Sequence, residues 1–243
     1  MACIYSSQIR KKKMNNLTPD EQNVVFGLTN MHDGRQQTLN RLRWEVMENT
    51  GLQIAGKTIF EPGAGIGDQT EWLLSQGASR VIVNDGREAN LSVIKKRFIS
   101  DNRVSTILGN IENCLELPEF LNIKADMVFL WGVYYHANDS LTDFGILKGL
   151  SRIAPIVVFD YLESATGQDW IESYDYDHPT TSISRKSPRP TFETMMAGIK
   201  KTFGNAYVPV KQFDWFDFCA PQTPRKIAVG SKYPLNLVGL VSA

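Results

Sequence analysis

The segment Gly56-Lys57-Thr58-Ile59-Phe60-Glu61-Pro62-Gly63-Ala64-Gly65-Ile66-Gly67 decides the fold class of this chain of 243 residues. A short apolar run ends in Glu61, and three glycines at the spacing G-x-G-x-G lead into Asp68-Gln69-Thr70-Glu71-Trp72-Leu73-Leu74. This order predicts a strand, a tight loop and a helix start, and the loop lacks side chains where a ligand approaches the backbone. The spacing fits neither the G-x-G-x-x-G of a dinucleotide loop nor a phosphate loop that ends in Gly-Lys-Ser/Thr. The sequence therefore predicts a nucleotide-type loop of another kind.

Apolar runs alternate with helical patterns along most of the chain. Strands are predicted near 58–61, 80–84, 104–108, 126–131, 155–160, 207–215 and 225–231, and helices near 35–49, 68–76, 87–100, 139–150 and 191–203. The alternation implies right-handed crossovers and a parallel sheet. Ligands of such sheets bind beyond the carboxyl ends of the strands.

Further polar residues are placed at those strand ends. Asp85 ends the second strand about 20 residues beyond the glycine loop, which is the spacing of acids that bind ribose hydroxyls. The alternative is a solvated acid at a strand end. The third strand runs into Gly109-Asn110-Ile111-Glu112, and the fourth ends at Trp131 before Gly132-Val133-Tyr134-Tyr135-His136.

These four segments, in this order, resemble the motifs of class I S-adenosylmethionine-dependent methyltransferases over about residues 56–161. In that family the glycines make room for the amino-acid end of the cofactor. The family commonly has Asp where this chain has Asn110, facing the adenine amino group, and the next side chain packs on the ring. The resemblance implies a set of cofactor contacts: Glu61, Gly63, Ala64, Gly65, Gly67, Asp85, Gly86, Asn110, Ile111 and Trp131. Core packing is the alternative for Trp131.

The resemblance also implies an architecture. We expect a Rossmann-like α/β fold with a seven-stranded, mostly parallel sheet, helices on both faces and an N-terminal helical extension. The length and the 42% hydrophobic content suit a single domain. Its expected parts are an N-terminal helical cap (1–54), a cofactor-binding half (55–161), a substrate lid (162–190) and a C-terminal helix and hairpin (191–243). In the family such an N-terminal extension covers the cofactor or substrate mouth, so Arg43 and Trp44 are further candidates; ordinary helix packing is the alternative for Trp44.

The segment from Gly132 to His136 resembles a subgroup that includes wobble-uridine tRNA-modifying enzymes and many small-molecule methyltransferases. His136 is the first candidate for a general base, since the reference pKa of histidine is about 6.5. A structural histidine bonded to nearby backbone is the alternative. His178, in the expected lid, is the second candidate. Candidate acceptor-pocket residues are Tyr134, Tyr135, Tyr161, His178 and, for an anionic acceptor, Arg185.

The composition of the chain limits the kinds of partner and bound group that we expect. Lys and Arg together number 26, and so do Asp and Glu, which gives a net charge of zero. This balance argues against nucleic-acid binding that depends mainly on electrostatic attraction. Three scattered cysteines and three scattered histidines predict neither a disulfide framework nor a metal site. Without a long apolar span or a signal peptide, we expect a cytoplasmic protein with no membrane segment.

We therefore expect methyl transfer from S-adenosylmethionine, with S-adenosylhomocysteine as product, to an oxygen or nitrogen of a metabolite, sugar or natural-product intermediate. The alternative acceptor is a tRNA uridine. Two other classes are an oxidoreductase that binds a nicotinamide dinucleotide, against which the glycine spacing argues, and a non-catalytic relative that keeps the fold as a binding module.

Overall fold

The computed structural model describes residues 17–19, 21–22, 25, 35–113, 118–173, 186–212 and 224–243. The helices are α1 (Arg35–Thr50), α2 (Asp68–Ser75), α3 (Glu88–Arg97), α4 (Pro118–Leu121), α5 (Gly145–Ile153) and α6 (Phe192–Phe203). The strands are β1 (Thr58–Pro62), β2 (Arg80–Asp85), β3 (Val104–Leu108), β4 (Met127–Leu130), β5 (Ile156–Leu162), β6 (Trp170–Ser173), β7 (Lys186–Arg189), β8 (Asn205–Pro209), β9 (Arg225–Ser231) and β10 (Leu240–Ser242).

Eight of these strands form one sheet in the order β10-β8-β9-β5-β4-β1-β2-β3. Strands β1 to β5 are parallel to one another, whereas β9, β8 and β10 continue the sheet in antiparallel pairs. The predicted Rossmann-like α/β fold and its antiparallel end are confirmed. The predicted number of seven strands is wrong, because Leu240–Ser242 pairs with β8 as an eighth strand.

The sheet separates two apolar cores. One face packs against α1, α2 and α3 through residues such as Leu39, Val46, Leu73, Leu91 and Ile94. The other packs against α4, α5 and α6 through Phe120, Leu147, Leu150, Met195 and Ile199. Because both faces are covered, every residue of β5 is buried, which explains why the strand is apolar from Ile156 to Phe159.

Helix ends follow local hydrogen bonding. A capping box is present at Thr18, since the Thr18 amide donates to Glu21 Oε2 at 2.6 Å and the Glu21 amide donates to Thr18 Oγ1 at 3.3 Å. The helix predicted over 139–150 begins instead at Gly145. Asp139 Oδ1 accepts from the Ile146 amide at 3.2 Å, and Phe144 has φ 54°, so the preceding residues form a turn.

The ends of the predicted lid form a separate hairpin of β6 and β7. This hairpin packs on the 3₁₀ turn Tyr134–His136, where Ser187 Oγ donates to the Tyr135 carbonyl. The middle of the predicted lid, 174–185, lies outside the described residues. None of the described helices combines the length and apolar composition that a membrane span needs.

Candidate functional site

The glycine loop between β1 and α2 is built on left-handed backbone. Gly63, Gly65 and Gly67 have φ of 67°, 59° and 83°, a conformation that side chains with a Cβ rarely adopt. A Cβ on Gly63 would also collide with the side chain of Val133, and one on Gly67 would lie 2.8 Å from the Phe98 ring. The loop therefore needs glycine both for its conformation and for its close packing.

Asp85 lies against this loop. Its Oδ2 accepts from the Gly65 amide at 2.9 Å, and its Oδ1 accepts from the Arg87 amide at 2.8 Å and from Asn90 Nδ2 at 3.1 Å. Burial raises the pKa of Asp85, and these hydrogen bonds oppose the rise. A carboxylate offers about four acceptor positions, so it retains capacity for a ligand hydroxyl beside the glycine loop. Gly86 follows Asp85 as an exposed turn residue.

Glu61, near the end of β1, lies beneath the loop and is only 2% exposed. Its Oε2 accepts from Thr70 Oγ1 at 2.6 Å, whereas its Oε1 is buried with no hydrogen-bond partner among the described residues. Burial raises the pKa of this carboxyl to about 8. A buried polar atom without a partner is rare in proteins and suits a site that a polar ligand group completes.

Side chains of the loop after β3 form hydrogen bonds within that loop. Asn110 Oδ1 accepts from the Glu112 amide at 3.1 Å, and Asn110 Nδ2 donates to Glu112 Oε2 at 3.2 Å. Ile111 is buried in the core on the α5 side of the sheet. A ligand that used the Asn110 side chain would compete with these two bonds.

Trp131 follows β4 on the α1 side of the sheet and is 7% exposed. The Arg43 guanidinium lies 5.5 Å from the centre of a Trp131 ring, and the Phe129 ring stacks on Trp131 at 6.1 Å. The indole Nε1 is buried and has no hydrogen-bond partner within the described ranges. Trp44, the other candidate from α1, stacks on Trp72 at 6.0 Å and donates to Gln69 Oε1 at 2.7 Å.

The turn after β4 divides its side chains between the two sheet faces. Tyr134 is fully buried against Phe159, with ring centres 5.4 Å apart, and its pKa is raised by burial and by the nearby Asp139. Tyr135 instead reaches Arg225 of β9, whose Nη1 donates to the Tyr135 hydroxyl oxygen. His136 is half-buried beside Tyr135, with ring centres 4.3 Å apart.

Tyr161 lies in the same apolar core as Tyr134. It belongs to the core on the α5 side, 6.2 Å from the Phe159 ring, and is completely buried. Burial and the charges of Glu163 and Glu193 raise its pKa. The structure thus brings Tyr135 and His136 together and leaves Tyr134 and Tyr161 in a core. His178 and Arg185 lie outside the described residues.

Sequence reasoning did not single out two residues at this edge of the sheet. Asp160 and Arg225 form a buried ion pair of 2.9 Å, and Arg43 joins the same carboxylate at 2.5 Å. An acid inside the otherwise apolar run of β5 was the available signal, because a charge buried on both faces must be paired. Nothing in the local sequence marks Arg225 as its partner.

No protein-family model matches the chain, and the comparison with curated proteins gives no match. Solved structures do match over most of their length. The N-terminal domain of EvdMO1, crystallised in the presence of S-adenosylhomocysteine and D-fucose, is 15% identical with a TM-score of 0.59, covering 89% of this chain and 84% of that one.

Two further structures agree. The 1,6-didemethyltoxoflavin-N1-methyltransferase of Burkholderia thailandensis is 17% identical with a TM-score of 0.58, covering 88% of this chain and 87% of that one. A complex of the Haloferax volcanii Trm112 methyltransferase activator with a methyltransferase gives 15% identity and a TM-score of 0.57, covering 89% of this chain and 98% of that one. Identities this low establish the fold alone. The chain has the fold of class I S-adenosylmethionine-dependent methyltransferases.

Proposed function

We propose that the protein is a methyltransferase that moves a methyl group from S-adenosylmethionine to an oxygen or nitrogen of a small molecule. The observation that carries this proposal is the 2.9 Å hydrogen bond from the Gly65 amide to Asp85. It brings the glycine loop and the acid expected to bind ribose together at the carboxyl ends of β1 and β2. Ligands of parallel sheets bind at such strand ends, and we place the cofactor cleft there.

The residues present fit this cofactor. Glu61 offers a buried carboxyl oxygen without a partner in the described part of the chain, which suits the amino group of the methionine part. Asp85 suits the ribose hydroxyls, and Gly63 and Gly65 leave space for the backbone to approach the ligand. Trp131 offers a buried indole N–H that has no hydrogen-bond partner among the described residues.

The bound cofactor supplies an electrophilic methyl group on a sulfonium. The protein's part in such an in-line displacement is to align the two reactants and to exclude water. Tyr135 and His136 line the acceptor side, on the turn that follows β4. His136 takes the proton of a hydroxyl acceptor, a role that a nitrogen acceptor with a free lone pair does not require.

A small acceptor is supported by two structural neighbours whose names include a sugar and a heterocycle, D-fucose and 1,6-didemethyltoxoflavin. The zero net charge of the chain also favours a small acceptor over a nucleic acid, because nucleic-acid binding usually depends on a basic surface. A tRNA uridine is the second candidate acceptor, supported by the resemblance of the segment from Gly132 to His136 to tRNA-modifying enzymes. For either acceptor we propose a cytoplasmic location.

The test is a transfer assay with methyl-labelled S-adenosylmethionine against two separate pools, small metabolites and total tRNA. We expect label in the metabolite pool, and nuclease treatment should not change it. His136→Ala should lower the rate much more than it lowers affinity for S-adenosylhomocysteine. Label only in tRNA would replace the small-molecule acceptor by the second candidate, and no label in either pool from protein that binds the cofactor would contradict the transfer function.

A further inference from the structure

The carboxylate of Asp160 links four parts of the fold. Asp160 lies near the carboxyl end of β5 and is completely buried. Its Oδ1 accepts from the Gly132 amide at 2.7 Å, directly after β4. Its Oδ2 accepts from Arg43 Nε of α1 at 3.1 Å and from Arg225 Nη1 of β9 at 2.9 Å. One side chain therefore joins α1, β5, β9 and the chain that leaves β4.

This network stays charged at neutral pH. Burial raises the pKa of Asp160, but the charges of Arg43 and Arg225, with the Gly132 amide, outweigh burial and hold the pKa below its usual value. Separating a buried ion pair is costly, because each group is then left as an uncompensated charge in the interior. Asp160 consequently holds the two guanidinium groups in fixed positions.

Arg225 carries the network to Tyr135. The same Nη1 that donates to Asp160 also donates to the Tyr135 hydroxyl oxygen, and the guanidinium carbon lies 4.3 Å from the centre of the Tyr135 ring. A hydroxyl oxygen that accepts from a cation directs its own hydrogen elsewhere. A Cβ added to Gly132 would lie 3.4 Å from this hydroxyl oxygen, so the hydroxyl lies close to Gly132, which follows shortly after β4.

We propose that Asp160 is a positioning residue which acts through Arg225 to hold the Tyr135 hydroxyl as a hydrogen-bond donor toward the methyl acceptor. This inference rests on the proposed function, which places the acceptor beside the turn of Tyr135 and His136. For a hydroxyl acceptor, Tyr135 donates to the acceptor oxygen while His136 takes its proton. The new carbon–oxygen bond forms as the carbon–sulfur bond breaks, and the electron pair of the broken bond stays on sulfur.

The first test needs no acceptor. With 3-fluorotyrosine at position 135, fluorine NMR reports the surroundings of that ring directly. We expect Asp160→Asn and Arg225→Gln each to shift or broaden the resonance relative to the parent protein. Asp101→Asn, which removes a surface ion pair with Arg103, should leave it unchanged.

Asp160→Asn leaves two buried guanidinium groups without this carboxylate and is therefore the variant at greater risk of not folding. Arg225→Gln keeps the Asp160–Arg43 pair and tests the same connection between Asp160 and Tyr135. An unchanged resonance in a folded Arg225→Gln protein would overturn the positioning role, whatever the acceptor is.

The second test separates positioning from cofactor binding. With an acceptor from the transfer assay, Tyr135→Phe should lower kcat on the order of 100-fold while affinity for S-adenosylhomocysteine is unchanged. Tyr207→Phe is the matched control, since Tyr207 lies on β8 and its hydroxyl accepts one hydrogen bond from the Leu235 amide. Adding Asp160→Asn to Tyr135→Phe should cause little further loss of kcat, because the group that Asp160 positions is gone.

The outcomes distinguish the two proposals. Parent protein that does not bind S-adenosylhomocysteine would defeat the proposed function itself. Parent protein that transfers methyl groups, together with an equally active Tyr135→Phe, would defeat only the positioning of Tyr135.

Discussion

Glu61 lies buried near the end of β1, and its ionisation shows how the fold changes the pKa of a single residue. Its carboxyl has a pKa of about 8 in the folded chain, compared with an ordinary value of 4.5. Desolvation is the main cause, and the hydrogen bond from Thr70 and the charge of Arg97 oppose it. Between these two pH values the folded protein holds a proton that the unfolded chain releases.

The sign of the pH dependence follows. The folded state binds more protons in this window, so this residue's contribution to stability is complete below about pH 4.5 and is lost as pH rises through about 8. One pKa unit is worth about 1.4 kcal/mol, so the loss amounts to a few kcal/mol. Glu61→Gln, which cannot ionise, should gain on the parent by that amount between pH 5 and pH 9.

Denaturant unfolding of both proteins at pH 5, 7 and 9 measures this gain. Glu88→Gln, which removes an exposed carboxyl of α3, serves as the control. A constant difference in unfolding free energy between Glu61→Gln and the parent across the range would refute the buried, protonated carboxyl.

Asp85 gives a second prediction at this scale. Asp85→Asn keeps an oxygen for the Gly65 amide but loses the charge that strengthens hydrogen bonds from ligand hydroxyls. Such a bond is worth about 1.5–3 kcal/mol, so affinity for S-adenosylhomocysteine should fall on the order of 10- to 100-fold. Calorimetry measures the affinity, and Asp101→Asn controls for an acid outside the cleft. Equal affinity in the two variants would remove Asp85 from the cofactor site.

At the scale of elements, the contact between α5 and α6 depends on one glycine. A Cβ on Gly198 would collide with the ring of Phe144, the residue before α5. Within a helix, alanine is ordinarily favoured over glycine by about 1 kcal/mol. Overpacking a core costs about 1–3 kcal/mol, so the collision should dominate.

Gly198→Ala should therefore lower the free energy of unfolding by up to about 2 kcal/mol, the difference between these two effects. Gly145→Ala in the first turn of α5 is the matched control, because its Cβ would meet Asp139 Oδ1 at an ordinary 3.7 Å and should not destabilise. Denaturant midpoints give both values. A Gly198→Ala protein as stable as the control would show that the two helices do not pack this closely.

The same region shows where local sequence patterns fail. Apolar spacing placed a helix at 139–150, but the side chain of Asp139 caps the Ile146 amide and the helix begins at Gly145. Strand periods and the glycine loop were predictable because they depend on neighbouring residues. The link from Asp160 to Arg43 spans 117 residues and its link to Arg225 spans 65, and no local pattern encodes such pairs.

For the whole molecule, the parallel half of the sheet could be predicted from the alternation of strands and helices, and the placement of Gly65 beside Asp85 followed from it. The edge strand β10 could not, since three residues carry too little pattern. The candidate site likewise has a part that could be predicted from the sequence and a part that could not. Residues at the ends of β1 and β2 were predictable, whereas the choice of Tyr135 over Tyr134 and Tyr161 depends on which sheet face each side chain occupies.

The central claim is that the glycine loop and Asp85 form a cleft for S-adenosylmethionine. Isothermal titration of folded protein with S-adenosylhomocysteine tests it most directly. We predict saturable heat with one site per chain, and its loss in Gly63→Val, whose side chain would collide with Val133. Absence of heat from protein whose circular dichroism shows the native fold would contradict the account.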